Sequence, residues 1–510
     1  MMSKKQQSVK TIYYKKGVRM ATKNIIKRAR GRLKMPRLGL LSLSALVMGS
    51  VIGSGIFNLM KEMAIDSSIM AVIIAWVIAG IGMGALAYSF YNLNKKRPEL
   101  EAGVYSYAEA GFGKFMGFNS AWGYWISAWI GNVAYATMTF SALGYFFSIF
   151  GDGYNLAAVI GASVGLWLVA ALIMSGIKNA SFMNIIVTVA KFVPLVIFVI
   201  ALIAAFKLNI FRGDLWGEAM KNGAVQWSEL LNQVKGTMLA TVFVFIGIEG
   251  AVVLSGRADQ SKNVGKATAL GFVTVLALYV LITVLSFGAM TSGDMVNLSE
   301  PAMGGLLESI VGKWGAVLIN IGVIVSVVGA WLAWTLFALE LPYRAAKRSV
   351  FPKVFAKESK KGVPWLSLLV TTIVTQVFVF SFLISDRPYN LMFSLCASMI
   401  LLPYLFSALF QLKESWKEKR GTAGRGWNIT VGLVAVIYAA WLLYAGGLEY
   451  LLTMVILYAV GLPIYIWARK DHGSKTIFKT WEGVIAVALI AIAIYGVYWM
   501  ATGGYATLVG

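Results

Sequence analysis

Apolar runs of about 20 residues, the length that carries an α-helix across a hydrocarbon core of roughly 30 Å, follow one another through nearly the whole chain. A chain built this way has too little polar surface to cover a water-soluble globule. Of its 510 residues 59% are hydrophobic and 13% charged, and the mean hydropathy is +0.74, which excludes the soluble globular class. The alternating ten-residue segments of a membrane barrel are absent, so an all-α integral membrane protein is expected.

The runs predict spans at about 38–59, 69–92, 116–149, 155–175, 182–206, 235–255, 266–290, 315–343, 365–384, 389–412, 428–446, 449–468 and 481–502. That makes about 13 transmembrane helices; a count of twelve would drop the last, whose stretch from Val484 to Tyr498 is strongly apolar. The first run follows a basic segment but is followed by no signal-peptide cleavage pattern, so it is expected to stay in the mature protein.

Charge orients this array. Residues 1–37 hold thirteen Lys or Arg and no acid, and the formal net charge is +23. With that tail on the cytoplasmic side, 37 basic residues fall inside and seven outside, leaving Lys191 within a span. The positive-inside rule then places the N-terminus in the cytoplasm and the C-terminus outside. Attraction of the tail to anionic lipid accounts for its charge without a nucleic-acid partner.

The scarce residues exclude chemistry. One cysteine, Cys396, forms no internal disulfide, and one histidine, His472, falls in a predicted loop. No catalytic residue, metal ligand or cofactor is expected, and a membrane enzyme lacks its constellation. A channel would need a continuous polar pore, whereas polar residues in these spans are sparse and gather at two places.

The first of those places is Met48-Gly49-Ser50-Val51-Ile52-Gly53-Ser54-Gly55-Ile56-Phe57, in the middle of the first span. Gly49 and Gly53 are spaced for close helix packing; the alternative is a break that leaves amides and carbonyls free, tolerated in a membrane only where it lines a cavity. The second is Phe243-Val244-Phe245-Ile246-Gly247-Ile248-Glu249-Gly250 in the sixth span, where two glycines bracket a carboxylate. A charge at that depth costs at least ~3 kcal/mol without a partner or water. Five crossings separate the two segments, so they run in opposite directions, as in an inverted repeat whose substrate lies between two discontinuous helices. Free N–H groups favour a carboxylate and free carbonyls a cation, a combination suited to an amino acid.

The stretches GSVIGSGIF, PELEAGVYSYAEAGFGKFMGFNSAWGYWISAWIGN, FIGIEGAVVLSGRADQSKNVGKAT and WLLYAGGLEYLL resemble the basic amino acid/polyamine antiporters of the amino acid–polyamine–organocation superfamily, notably the bacterial arginine/ornithine antiporters. The resemblance runs from about residue 36 to the C-terminus. It implies a LeuT-like 5+5 inverted repeat with discontinuous first and sixth helices, and exchange of an imported basic amino acid for an exported product. The division expected is a basic tail at 1–37, a first repeat at 38–206, a second at 207–412 and added helices at 413–510. Arginine for ornithine is the first choice of pair; histidine/histamine and lysine/cadaverine are the alternatives.

By the same resemblance Ser50, Ser54 and Gly55 match the substrate-binding break of the first helix, and Phe243, Ile246 and Gly247 that of the sixth. Phe243 departs from the pattern, since relatives usually carry a gating Trp there. Glu249 matches an acidic gating residue, with a structural tether as the alternative. Tyr124, Ser127, Ala128 and Asn132 match the substrate-facing side of the third helix; a helix-to-helix hydrogen bond is the other reading for Asn132. Trp334 matches an aromatic that flanks the substrate's cation, and Tyr404 a distal gate. Trp122, Trp125 and Trp129 share one helical face and read as packing, while Glu340 and Arg344, four apart, read as an ion pair. Asn184, Thr188 and Lys191 form an inward stripe on the fifth helix, and Lys191 resembles a built-in cation that bridges to the broken first helix and replaces sodium.

Overall fold

In an apolar surround the α-helix is the one open-ended structure that satisfies its own backbone polar groups, and runs of Leu, Ile, Val and Ala with few internal breakers leave this chain little else to form. The computed structural model describes residues 40–65, 67–100, 103–176, 180–213, 215–249, 261–385 and 387–504. The basic tail, and with it the lipid contact expected there, lies outside them.

Helix α1, Leu40–Val51, stops at the first glycine–serine cluster; a 3-10 turn at Gly55–Phe57 and the short α2, Leu59–Ala64, complete the crossing. Then come α3 (Ile69–Lys96), α4 (Val104–Phe112), α5 (Lys114–Gly144), α6 (Leu156–Met174), α7 (Ala180–Ala205) and α8 (Leu208–Gly213). A two-residue hairpin pairs Met220 with Val225 before α9, Trp227–Phe245. The remainder is α10 (Ser261–Ala289), α11 (Ser292–Val296), α12 (Ala302–Val311), α13 (Lys313–Lys347), α14 (Trp365–Val379), α15 (Pro388–Lys417), α16 (Arg425–Ala445), α17 (Leu448–Asp471) and α18 (Thr480–Trp499).

Helix α5 is the axis of the molecule: every residue from Phe115 to Ala142 is buried. It packs between α13 and α15. Around it α1 lies on α10 and α9 on α3, while α7 lies on α13. Among the described residues nine helices are long and apolar enough to cross a membrane. The expected spans missing from that set are the first, third, fifth and sixth. The first is interrupted, the third and sixth bury Asn, Ser, Thr and Gln inside the bundle, and of the fifth, a continuous helix over Ala180–Ala205, the apolar stretch Ala190–Ala205 is the part whose side chains are all described.

Several boundaries differ from expectation for visible reasons. The sixth span was expected from 235 but its helix begins at Trp227, because its polar residues are used inside the bundle. Gln233 accepts from Ser68 Oγ at 2.7 Å, and the Lys235 ammonium sits 4.5 Å from the Tyr444 ring. The third was expected to reach 149 but ends at Gly144, the aromatics Tyr145 to Phe147 being exposed in the connection that follows. The short helices α4, α8, α11 and α12 were not expected. The Trp stripe packs: Trp122 Nε1 donates to Leu457 O at 2.9 Å, Trp125 Nε1 to Thr371 Oγ1 at 3.0 Å, and Trp129 meets Phe378 edge-on. Arg344 and Glu340 pair at 2.8 Å.

Candidate functional site

Two helix ends face each other at the middle of the bundle. After Val51 the backbone leaves the helix, and among the described residues the amides of Ser54 and Gly55 donate to no backbone carbonyl. On the sixth helix Ile246 departs from helical geometry and Gly247 takes φ +106°. The two breaks touch, which explains Gly247 and Gly55. A Cβ on Gly247 would stand 2.5 Å from Ser50 O, and one on Gly55 would stand 2.9 Å from both the Phe243 ring and Val244.

Lys191 answers the carbonyls freed at the end of α1. Its side chain is 4% exposed, and Nζ donates to Ile52 O at 2.7 Å and to Gly49 O at 3.2 Å. A cation at a helix C-terminus is the favourable sign. The side chains of Asn184 and Thr188, expected on the same stripe, lie outside the described residues.

Glu249 answers the other break. It is 5% exposed, and its carboxylate accepts from the Tyr124 hydroxyl, from the Tyr404 hydroxyl at 2.8 Å and from the Gly247 amide at 3.2 Å. Burying a carboxylate costs several kcal/mol, and three donors from α5, α15 and the break itself offset much of that, with no cation bonded to it among the described residues.

Between the breaks lies a cavity of about 20 Å³, room for about one water, lined in part by Ser54, Gly55, Ser127, Phe243, Ile246 and Trp334. A second cavity of about 210 Å³ is lined in part by Ser50, Tyr124, Lys191, Gly247, Glu249 and Trp334. Trp334 walls both, with Phe337 edge-on against it at 5.3 Å.

Of the residues expected at the site, eleven are therefore gathered around these cavities, and Tyr404 joins them through Glu249. Ala128 and Asn132 line neither cavity. Asn132 is buried with both ends of its amide unpartnered, so the helix-to-helix bond is not made among the described residues. The face of α5 turned to the smaller cavity is Ser127, Gly131 and Tyr135, at i, i+4, i+8, and only Ser127 was singled out from the sequence. Val244 and Cys396 also line it and were missed; Cys396 O accepts from Ser127 Oγ at 2.8 Å.

Beyond the smaller cavity, on the α2 side, a polar plug closes the bundle. Asn58 Nδ2 donates to Glu62 Oε1 at 2.6 Å and Asn390 Nδ2 to Glu62 Oε2 at 2.5 Å, while Asn58 Oδ1 accepts from the Ala302 amide at 3.1 Å. The plug thus ties α2, α12 and α15 together. Nothing in the local pattern of Asn58, Glu62 or Asn390 announced that they would meet.

A family model described as amino acid permease matches residues 38–449. The chain is 46% identical over 474 residues to an arginine/ornithine antiporter of Pseudomonas aeruginosa, an alignment covering 91% of this chain and 97% of that one. It is 40% identical over 467 residues to an arginine/ornithine antiporter of Latilactobacillus sakei, covering 92% and 98%. It is also 40% identical over 471 residues to an arginine/agmatine antiporter of Chlamydia pneumoniae, covering 91% and 97%.

Proposed function

Because the chain belongs to the amino acid permease family, we propose that it is an exchanger taking in external arginine and releasing internal ornithine. The observation that carries this is the meeting of opposite chemistries across one indole. The free amides of Ser54 and Gly55 suit an α-carboxylate, and the Trp334 ring with the Glu249 carboxylate beyond it suits a cationic side chain. Relatives named arginine/ornithine antiporters support the pair.

In this reading Ser50, Ser54, Gly55, Phe243, Ile246 and Gly247 hold the carboxylate and amine. Tyr124, Ser127 and Trp334 face the side chain. Glu249 with Tyr404 couples substrate charge to gating, and Lys191 is the fixed cation that makes sodium unnecessary. Residues 38–206 and 207–412 are two inverted halves, supported by the way packing repeats after five spans: α1 on α10 is matched by α9 on α3, and α7 on α13 by α15 on α5. The tail at 1–37 lies on anionic lipid at the cytoplasmic face of a bacterial cell membrane, the added helices are at 413–510, and the α2 side faces outward.

The relatives named arginine/agmatine antiporters favour a second pair. Agmatine carries no carboxylate, so the free amides of the first break would have no anion on the outward trip, whereas ornithine keeps one. The two readings also differ electrically: arginine against ornithine moves no net charge, and arginine against agmatine does. Counterflow in proteoliposomes loaded with ornithine, agmatine, lysine or histidine, with labelled arginine outside, ranks the pairs; an imposed membrane potential should leave the ornithine rate unchanged. Uptake driven best by agmatine and sensitive to potential would replace the first reading by the second.

A further inference from the structure

A cavity of about 430 Å³ lies on the α2 side, between the end of α5, the 145–155 connection, the loop joining α11 to α12, and the start of α13. Three carboxylates line it, Asp152, Glu300 and Glu308, and among the described residues no basic side chain does. Lys61 is nearby, but its ammonium is used on Leu298 O at 2.7 Å. Among the described residues the carboxylates form no cluster that could hold a metal ion.

Carboxylates at a protein surface are ordinarily just solvated. Here a fourth group has no such account. Asn320 lines the same cavity and is 3% exposed; its Nδ2 donates to Ala316 O at 2.9 Å, and its Oδ1 accepts nothing among the described residues. A buried acceptor left without a donor costs about 1–3 kcal/mol. Three carboxylates and an orphaned amide oxygen make a wall of acceptors, which calls for a ligand that is cationic and rich in N–H donors.

We propose that this cavity is an outer docking site for the guanidinium or ammonium head of the substrate, occupied before the substrate enters the central cavity. The proposal rests on the exchange of basic amino acids argued above. Its position is apt for delivery, because one residue separates Glu300 from the Ala302 amide that holds Asn58, and Asn58 in turn holds Glu62 in the plug. Burial pushes the Glu300 carboxyl up to about 8, and the charges of Glu62 on α2 and Asp152 in the 145–155 connection add to the rise while Lys61 opposes it. Glu308 on α12 is the remaining acid in the lining. A bound cation favours the ionised carboxylate, so affinity at this face rises as the pH rises through 8.

The test is the sided KM of reconstituted full-length protein between pH 6.5 and 8.5, a range in which arginine keeps its guanidinium charge. In the native protein the external KM for arginine should fall as the pH rises. In Glu300→Gln it should be raised roughly threefold to fivefold at pH 8.5 and lose its pH dependence, with the maximal rate and the internal KM for ornithine unchanged. Asn320→Leu should raise the external KM without altering the pH profile. An unchanged external KM in Glu300→Gln, a shift equal on both faces, or a loss confined to the maximal rate would overturn the docking site. Should Glu300→Gln fail to assemble, Glu308→Gln carries the same sided expectation. If the native protein exchanges no basic amino acid at all, it is the parent reading that fails.

Discussion

Lys191→Met removes a charge while keeping most of the stem that fills its place. The ammonium now makes two bonds, to Ile52 O and Gly49 O, and these are the carbonyls exposed where α1 ends. Each buried carbonyl left unpaired costs ~1–3 kcal/mol. Against that stands the desolvation recovered when a buried cation is deleted, several kcal/mol on its own. The recovered part helps every conformation of the buried site, whereas the lost bonds are made only when α1 ends at Val51, so the net penalty falls on the competent geometry. A penalty of about 2–3 kcal/mol reduces that population about 30- to 150-fold. Initial rates of labelled arginine uptake in sodium-free, ornithine-loaded proteoliposomes measure it, with size-exclusion behaviour in detergent as the control for assembly. A native rate in Lys191→Met, or stimulation of the unaltered protein by sodium, would refute the reasoning.

Glu249→Gln keeps the shape of a side chain held by Tyr124, Tyr404 and the Gly247 amide but removes its charge; exchange should fall and its pH profile flatten, and a native profile would exclude a coupling role. Trp334→Leu should weaken arginine binding by the cation–π increment of about 1–2 kcal/mol, about tenfold, measured by equilibrium binding in detergent. An equal loss for a neutral isostere would point to packing damage instead. Gly247→Ala, with φ +106° and a Cβ 2.5 Å from Ser50 O, should abolish exchange and lower the Tm. The control on the same helix is Gly236→Ala, where a Cβ meets nothing within 4 Å and a helical alanine adds roughly 0.5–1 kcal/mol of stability; its Tm should hold or rise.

The breaks were legible because they violate a strong local rule: Gly, Ser and Glu in the middle of an apolar run have few physical explanations. Lys191 was legible for the same reason, since its depth in the fifth span leaves no easy path to snorkel, but that its ammonium would meet the end of α1 came from the family resemblance. Helical phase was harder. Tyr124, Ala128, Asn132 and Ser127, Gly131, Tyr135 fit the i, i+4, i+8 spacing equally well, and which set faces the smaller cavity depends on the rotation of α5 between α13 and α15, a tertiary property. The plug was not legible at all. Asn58, Glu62 and Asn390 are ordinary residues near helix ends, and their meaning comes from partners as far as 328 positions away. Sequence periodicity carries no information at that range.

The contact between Gly55, Gly247 and their neighbours has a mechanical consequence. With Ser50 O directly over Gly247 and the Phe243 ring directly over Gly55, neither break has clearance to slide past the other. A turn of one broken helix would therefore press on the other, through Ser50 O against Gly247 and the Phe243 ring against Gly55. A transporter hinged this way has few half-open postures available. Strict one-for-one trade, with little leak of either solute, would then be a property of the hinge and not only of the chemistry of the pocket.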